Sequence, residues 1–231
     1  LALEQWFHAG GKDAEASIKI DPETKTLSTT AIIFDKLVWV SPRIQEGQVQ
    51  LDLLAKDASG GIAMEDIWEA LPEEPCRYTG KHGSRDAYTF SLVCGSHGHR
   101  HDASENLLRH RKLANAYLDY AKHLTSAETK ANEVLKKDAR EFENDFALFA
   151  KARRFLVSEK GFYGLSAQLA KEGDVLAVIP GIRVTWILRP VGENYRYVGA
   201  AYVHGVMRGE LLEEKDPLGL NAGSPKEIII F

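Results

Sequence analysis

The sequence predicts an α+β protein: a small, mainly antiparallel, barrel-like sheet built from both ends of the chain, with a helical insertion. Three observations carry this. Residues 153–212 read as short β-branched and aromatic runs punctuated by Gly and Pro, the pattern of a small antiparallel sheet or barrel. Strand-like runs also stand near both ends, at Leu27–Val40 and at Lys226–Phe231. Between them, apolar residues recur at helical spacing. The expected division is an N-terminal helix and hairpin (1–45), a helical insertion (46–152) and a barrel-like region (153–231), folded as one composite domain.

Taken in order, residues 1–13 predict a short helix stopped at Gly10–Gly11. Ser17–Ile20 alternates as a strand, Pro22 marks a turn, and Leu27–Val40 is a long strand with a bend near Asp35–Lys36. Helices are expected over Val49–Asp57, Ala63–Leu71 and Arg85–Val93, and a polar loop over Cys94–Asp102. Asp102 or Ser104 can cap the next helix, which carries Leu107, His110, Ala114, Tyr117 and Ala121 on one face. Thr125 with Glu128 forms a capping-box pattern ahead of a single helix of about 27 residues, roughly 40 Å long. One face of it is apolar, from Ala131 to Phe149. The other, with Lys130, Glu133, Lys137, Arg140, Glu141 and Asp145, is expected to be solvated. Strands are then expected at 154–158, 175–179, 183–188, 195–204 and 226–231, with Glu159–Leu165 as a turn around Gly161 and Gly164. The terminal Ile-Ile-Ile-Phe needs a pairing partner to avoid presenting an aggregation-prone edge, and is expected to complete the sheet.

The totals exclude some functions. A chain of 231 residues can bury a real core. Net charge is −4, which offers no basic field for a phosphate backbone, so nucleic-acid binding is not expected. No apolar run reaches the roughly 18–20 residues of a membrane span, and no signal-peptide pattern opens the chain. Cys76 and Cys94 make no disulfide framework, which suits a reducing, cytoplasmic setting.

Few residues stand out as chemistry. Cys94, His97, His99 and His101 are of metal-ligating type, but they crowd one loop, whereas closed metal sites draw ligands from two segments. The plainer expectation is an exposed polar loop, with no metal and no cofactor. His204, at the end of a strand in Tyr202-Val203-His204-Gly205, could act as a base only with a partner; Glu210 and Glu159 are its acidic candidates. A local hydrogen bond at the strand end is the simpler role. Trp39 and Trp186 are expected to pack. No nucleophile elbow, phosphate loop, dinucleotide fingerprint or His-Glu-x-x-His helix occurs.

The segments RRFLVSEKGFYGL and GDVLAVIPGIRVTWILRPVGENYRYVGAAYVHGVMRGELL resemble the C-terminal region of fungal heterokaryon incompatibility domain proteins. The likeness runs through Arg154, Glu159, Gly161 and Gly164, the Gly173–Asp174 turn, Leu188–Arg189, and Tyr202 to Glu210. It is looser at Ile33–Ser41, Tyr78-Thr79-Gly80 and Ala87–Val93. The family's N-terminal incompatibility domain, linked with cell death after fusion of incompatible strains, has no counterpart here. With Leu rather than Met at position 1, the expectation is the back half of a longer protein.

The resemblance implies a non-enzymatic module of a nonself-recognition and programmed cell death protein. It would act by contact with a protein partner, either another incompatibility factor or a separate N-terminal death-inducing domain. Its candidate surface is Glu159, Tyr202, His204, Gly205 and Glu210. The alternatives are a ligand-binding or enzymatic pocket near His204 and Glu210, or a remnant without function.

Overall fold

In the computed structural model the described residues are 7–56, 61–72, 83–97, 101–212 and 223–231, with position 101 described by its backbone alone. Ten strands are described: β1 (Ile18–Asp21), β2 (Thr26–Val40), β3 (Ser96–His97), β4 (His101–Asp102), β5 (Arg154–Ser158), β6 (Tyr163–Ser166), β7 (Val175–Val178), β8 (Thr185–Val191), β9 (Asn194–Val203) and β10 (Lys226–Ile230). Six helices are described between β2 and β5: α1 (Leu51–Leu54), α2 (Ala63–Glu69), α3 (Ser84–Leu92), α4 (Leu107–Lys122), α5 (Ala127–Ala131) and α6 (Glu133–Ala150).

The sheet runs β1-β2-β5-β6-β9-β8-β7, and β7 returns to pair with β2, so six strands form a barrel-like ring. The ring depends on the length of β2. Residues Ile32–Lys36 pair with β7, and Leu37–Val40 pair with β5. Register shifts between Ile33 and Asp35 and between Leu37 and Trp39 bend β2 between its partners, as bulges do in curved sheets. The bend expected at Asp35–Lys36 lies between these two shifts.

Phe34, Leu37, Leu156, Phe162, Leu176, Ile187 and Val203 share the core enclosed by the ring. Beyond it, β10 lies antiparallel to β2 and touches β9, so the terminal isoleucine run is paired as expected. A larger core joins the helices to β5, β6 and the end of β9. Tyr117, Phe142 and Phe146 stand 5.5–5.9 Å apart in it, fully buried. Burying each ring contributes about 2–3 kcal/mol. The Tyr117 hydroxyl donates to Val49 O at 2.7 Å, which satisfies its polar end.

Several expectations need correction. Residues 7–13 form no helix, while residues 1–6 lie outside the described residues. Instead, Ala9 N–H and Gly10 N–H donate to the Arg183 and Ile182 carbonyls, which ties this segment to the sheet. Tyr163–Ser166 is a strand, not part of a turn. The long helix is broken at Asn132, which ends α5 and caps α6 by accepting from Leu135 N–H at 3.0 Å. Ser126, not Thr125, caps α5.

The charged face of α6 is only partly solvated. Asp145 is buried, Glu141 pairs with Arg109, and Arg140 bridges Asp52 and the buried Glu143. Glu143 also accepts from Leu51 N–H at 2.7 Å, supplying α1 with a carboxylate at its N-terminus. Among the described residues, no helix is long and apolar enough to cross a membrane.

Candidate functional site

The end of β9 places the site. Its alternation brings Tyr202 to the helical side of the sheet, and the chain then turns at His204–Arg208. The Tyr202 hydroxyl and His204 Nδ1 share a hydrogen bond of 3.2 Å, and His204 N–H donates to Tyr163 O. The imidazole thus makes the local bond expected at the strand end.

His204 lies parallel to Phe90 of α3, with ring centroids 5.4 Å apart and planes 4° apart. Phe90 in turn stacks on His110 of α4 at 4.0 Å and 8°. His110 Nε2 meets the Thr89 hydroxyl at 2.8 Å. Three near-parallel rings therefore tie α3, α4 and the end of β9 together.

A second tie is ionic. Asp102 accepts from Ser104 N–H at 2.8 Å and from the Ser104 hydroxyl at 2.7 Å, capping a 3-10 turn over Ala103–Asn106. Its other oxygen meets the Arg208 guanidinium, which also donates to the Ser104 hydroxyl at 3.0 Å. Glu210 Oε2 accepts from Arg208 N–H at 2.7 Å. Gly95 passes close by with φ +65°, and a Cβ there would stand 2.8 Å from the Tyr202 hydroxyl. Glycine therefore serves both its left-handed backbone and the close approach.

These groups surround a cleft of about 140 Å³. Tyr202, His204, Gly205 and Glu210 all line it, so four of the five candidates from sequence come together. Glu159 does not line it. Its side chain is exposed and pairs with Lys36 at 3.4 Å, because the β5–β6 turn hydrogen-bonds to β2 instead. Sequence reasoning missed Phe7, Phe90, Asp102, Ser104 and Arg208 as parts of this cleft. Asp102 and Ser104 had been legible only as caps, and nothing local pairs Asp102 with Arg208.

The loop expected to be exposed and polar is partly buried. Ser96–His97 pairs antiparallel with His101–Asp102, and Cys94, Ser96 and His97 are buried. Burial pushes the Cys94 thiol up to about 12, away from the thiolate that binds metal. His97 lies 5.1 Å from His110, ring to ring. His99 and Tyr78-Thr79-Gly80 lie outside the described residues, as does the His101 side chain. Among the described residues, no group of three or more His, Cys, Asp or Glu is placed to hold a metal ion. Trp39 and Trp186 pack against two of the cores, as expected.

The sheet that carries this cleft, with the helices packed beside it, can be set against known proteins. A family model described as the Het-6 beta-barrel domain matches residues 85–217, more than half of the chain. The chain belongs to this family. The Het-6 match runs from α3 to just past the cleft and so includes Phe90, Asp102, His204 and Glu210. The chain is also 34% identical over 67 residues to heterokaryon incompatibility protein 6, OR allele, of Neurospora crassa. That stretch covers 27% of this chain and 10% of the relative, so the chain spans about a tenth of that protein's length. No solved structure matches.

Proposed function

We propose that this Het-6 barrel chain is a non-enzymatic contact module of a heterokaryon incompatibility protein, working in the cytoplasm. It would bind a protein partner in nonself recognition and pass that event toward cell death. The observation that carries the contact reading is an apolar row running out of the sheet's core onto an open edge. Ile230, Leu27 and Ile20 stand opposite one another across β10, β2 and β1. Ile230 is buried, Leu27 half-buried, and Ile20 74% exposed.

Directly opposite residues share a face, so the row is continuous. Among the described strands, β1 pairs with β2 alone, leaving its outer edge open to another strand. An extended partner segment with alternating apolar residues would extend both the ladder and the apolar row.

The test is capture of partners from fungal lysate by the wild-type chain, Ile20→Lys, and a His204→Ala, Glu210→Ala double variant, each checked by circular dichroism. The contact reading expects a specific partner kept by the double variant and lost with Ile20→Lys, since a lysine on the edge opposes strand addition. A partner indifferent to Ile20→Lys but lost with the double variant would move the working surface to the cleft.

A further inference from the structure

We propose that the cleft at Tyr202–Glu210 binds a compact organic cation, a primary alkylammonium, with its nitrogen on Glu210 and its carbon body against the aromatic wall. The lining decides the sign. Asp102 and Arg208 form a contact ion pair, so their charges largely cancel toward the cleft. Glu210 is the remaining charge among the cleft-lining residues. It uses Oε2 on Arg208 N–H, and among the described residues Oε1 accepts no hydrogen bond. A group donating N–H to that oxygen gains a charge-assisted bond.

The walls favour the same class of ligand. Phe7 and Tyr202 stand 5.7 Å apart with planes at 51°, and Met207 lines the cavity beside them, while the faces of Phe90 are taken by His204 and His110. Aromatic faces attract cations and tolerate alkyl groups. The Tyr202 hydroxyl supplies another polar atom. A primary ammonium, with three donors, can use the carboxylate, whereas a quaternary ammonium can use only the rings. A cavity of about 140 Å³ admits a small amine or the end of a lysine-like chain rather than a large cofactor.

The experiment is an amide-resolved NMR titration of the whole chain with ethylammonium chloride, with tetramethylammonium chloride and sodium acetate as companions. The expected result is saturable shifts confined to residues around Gly95, Asp102 and Tyr202–Glu210, in the millimolar range usual for so small a ligand. Tetramethylammonium should bind more weakly, and acetate should not saturate. Glu210→Gln, with the rest of its spectrum unchanged, should weaken binding by about tenfold or more. Arg208→Gln, which leaves Asp102 uncompensated, should hold or tighten it. Three results would overturn the proposal: no saturation by ethylammonium, equal affinity in Glu210→Gln, or saturable acetate binding that Arg208→Gln abolishes.

Discussion

Asp174 is a buried acid beside the sheet, outside the cleft. It closes the turn before β7 and its side chain is 1% exposed, while that of its partner Arg189, on β8, is 26% exposed. The carboxylate receives Arg189 Nε at 2.8 Å, Arg189 Nη2 at 3.0 Å and Lys171 N–H at 2.9 Å. Arg189 Nη2 also donates to Leu169 O at 2.9 Å, so the guanidinium is held from two directions. Asp174→Asn keeps the shape but removes the charge and presents an amide donor to a donor. Breaking a buried pair from one side costs about 3–5 kcal/mol, and partial exposure of Arg189 puts the expectation near the lower end, about 3 kcal/mol. Against a total stability of about 5–15 kcal/mol this is a large share. With a urea m-value of about 2.5 kcal/mol/M, the midpoint should fall by about 1 M, read by circular dichroism. Arg189→Met and the double variant complete the cycle. The double variant should cost less than the summed singles by about 1 kcal/mol or more. A midpoint for Asp174→Asn within about 0.2 M of wild type, or strictly additive singles, would refute the pair's role.

Three further outcomes are expected. Burial holds the Asp35 carboxyl above its usual 3.8, partly offset by hydrogen bonds from Ser158, Lys36 and Lys160. The folded state therefore keeps this proton after the unfolded chain has lost it, and stability falls as pH rises from 3.8 through the raised value. The stability difference between Asp35→Asn and wild type should thus move in favour of Asn as pH rises from 3.8 and level off above the raised value, and a flat difference in urea melts from 3.8 upward would count against it. Cys94, buried with its thiol pushed up to about 12, should resist alkylation at pH 8 in the folded protein and label fully in urea, as peptide mass spectrometry would show. Gly95→Ala places a Cβ at φ +65° and 2.8 Å from the Tyr202 hydroxyl, and should cost about 2–3 kcal/mol in denaturant melts. A neutral result would mean that the two segments are not in close contact.

What the sequence showed and what it hid follow from range. The long β2 run, the β7 and β9 runs and the final isoleucines carry their strand signal in consecutive residues. β6 did not, because Tyr163-Gly164-Leu165-Ser166 is short and holds a glycine that reads as a turn. The glycine is required by packing instead: a Cβ at Gly164 would stand 2.2 Å from Tyr202 O on the neighbouring strand. The break at Asn132 was masked because the apolar period continues on both sides, while the break itself rests on one side-chain cap. In the cleft, Tyr202, His204, Gly205 and Glu210 were legible because they are close together in the chain. Asp102 and Phe90 were not, since their partners Arg208 and His204 lie more than a hundred residues away. Glu159 was drawn in by the segment that carries the family resemblance, and the bonding of the β5–β6 turn to β2 holds it away from the cleft.

The stacked rings explain why the helices cannot be regarded as a removable insertion. Phe90 is contacted on α3 by His204 from the turn after β9 and by His110 from α4, at 4–8° from parallel. Each such contact contributes about 0.5–1.5 kcal/mol beyond burial, so the stack couples sheet and helices directly. The Asp102–Arg208 pair does the same across the opening of the cleft. The family match takes in both sides of this joint as one unit, since residues 85–217 begin at the first turn of α3 and run past β9. The cleft is therefore walled by residues from both halves of that unit: Phe90 and Asp102 from the helical side, His204 and Arg208 from the sheet. Sheet and helices are thus joined through the same residues that wall the cleft.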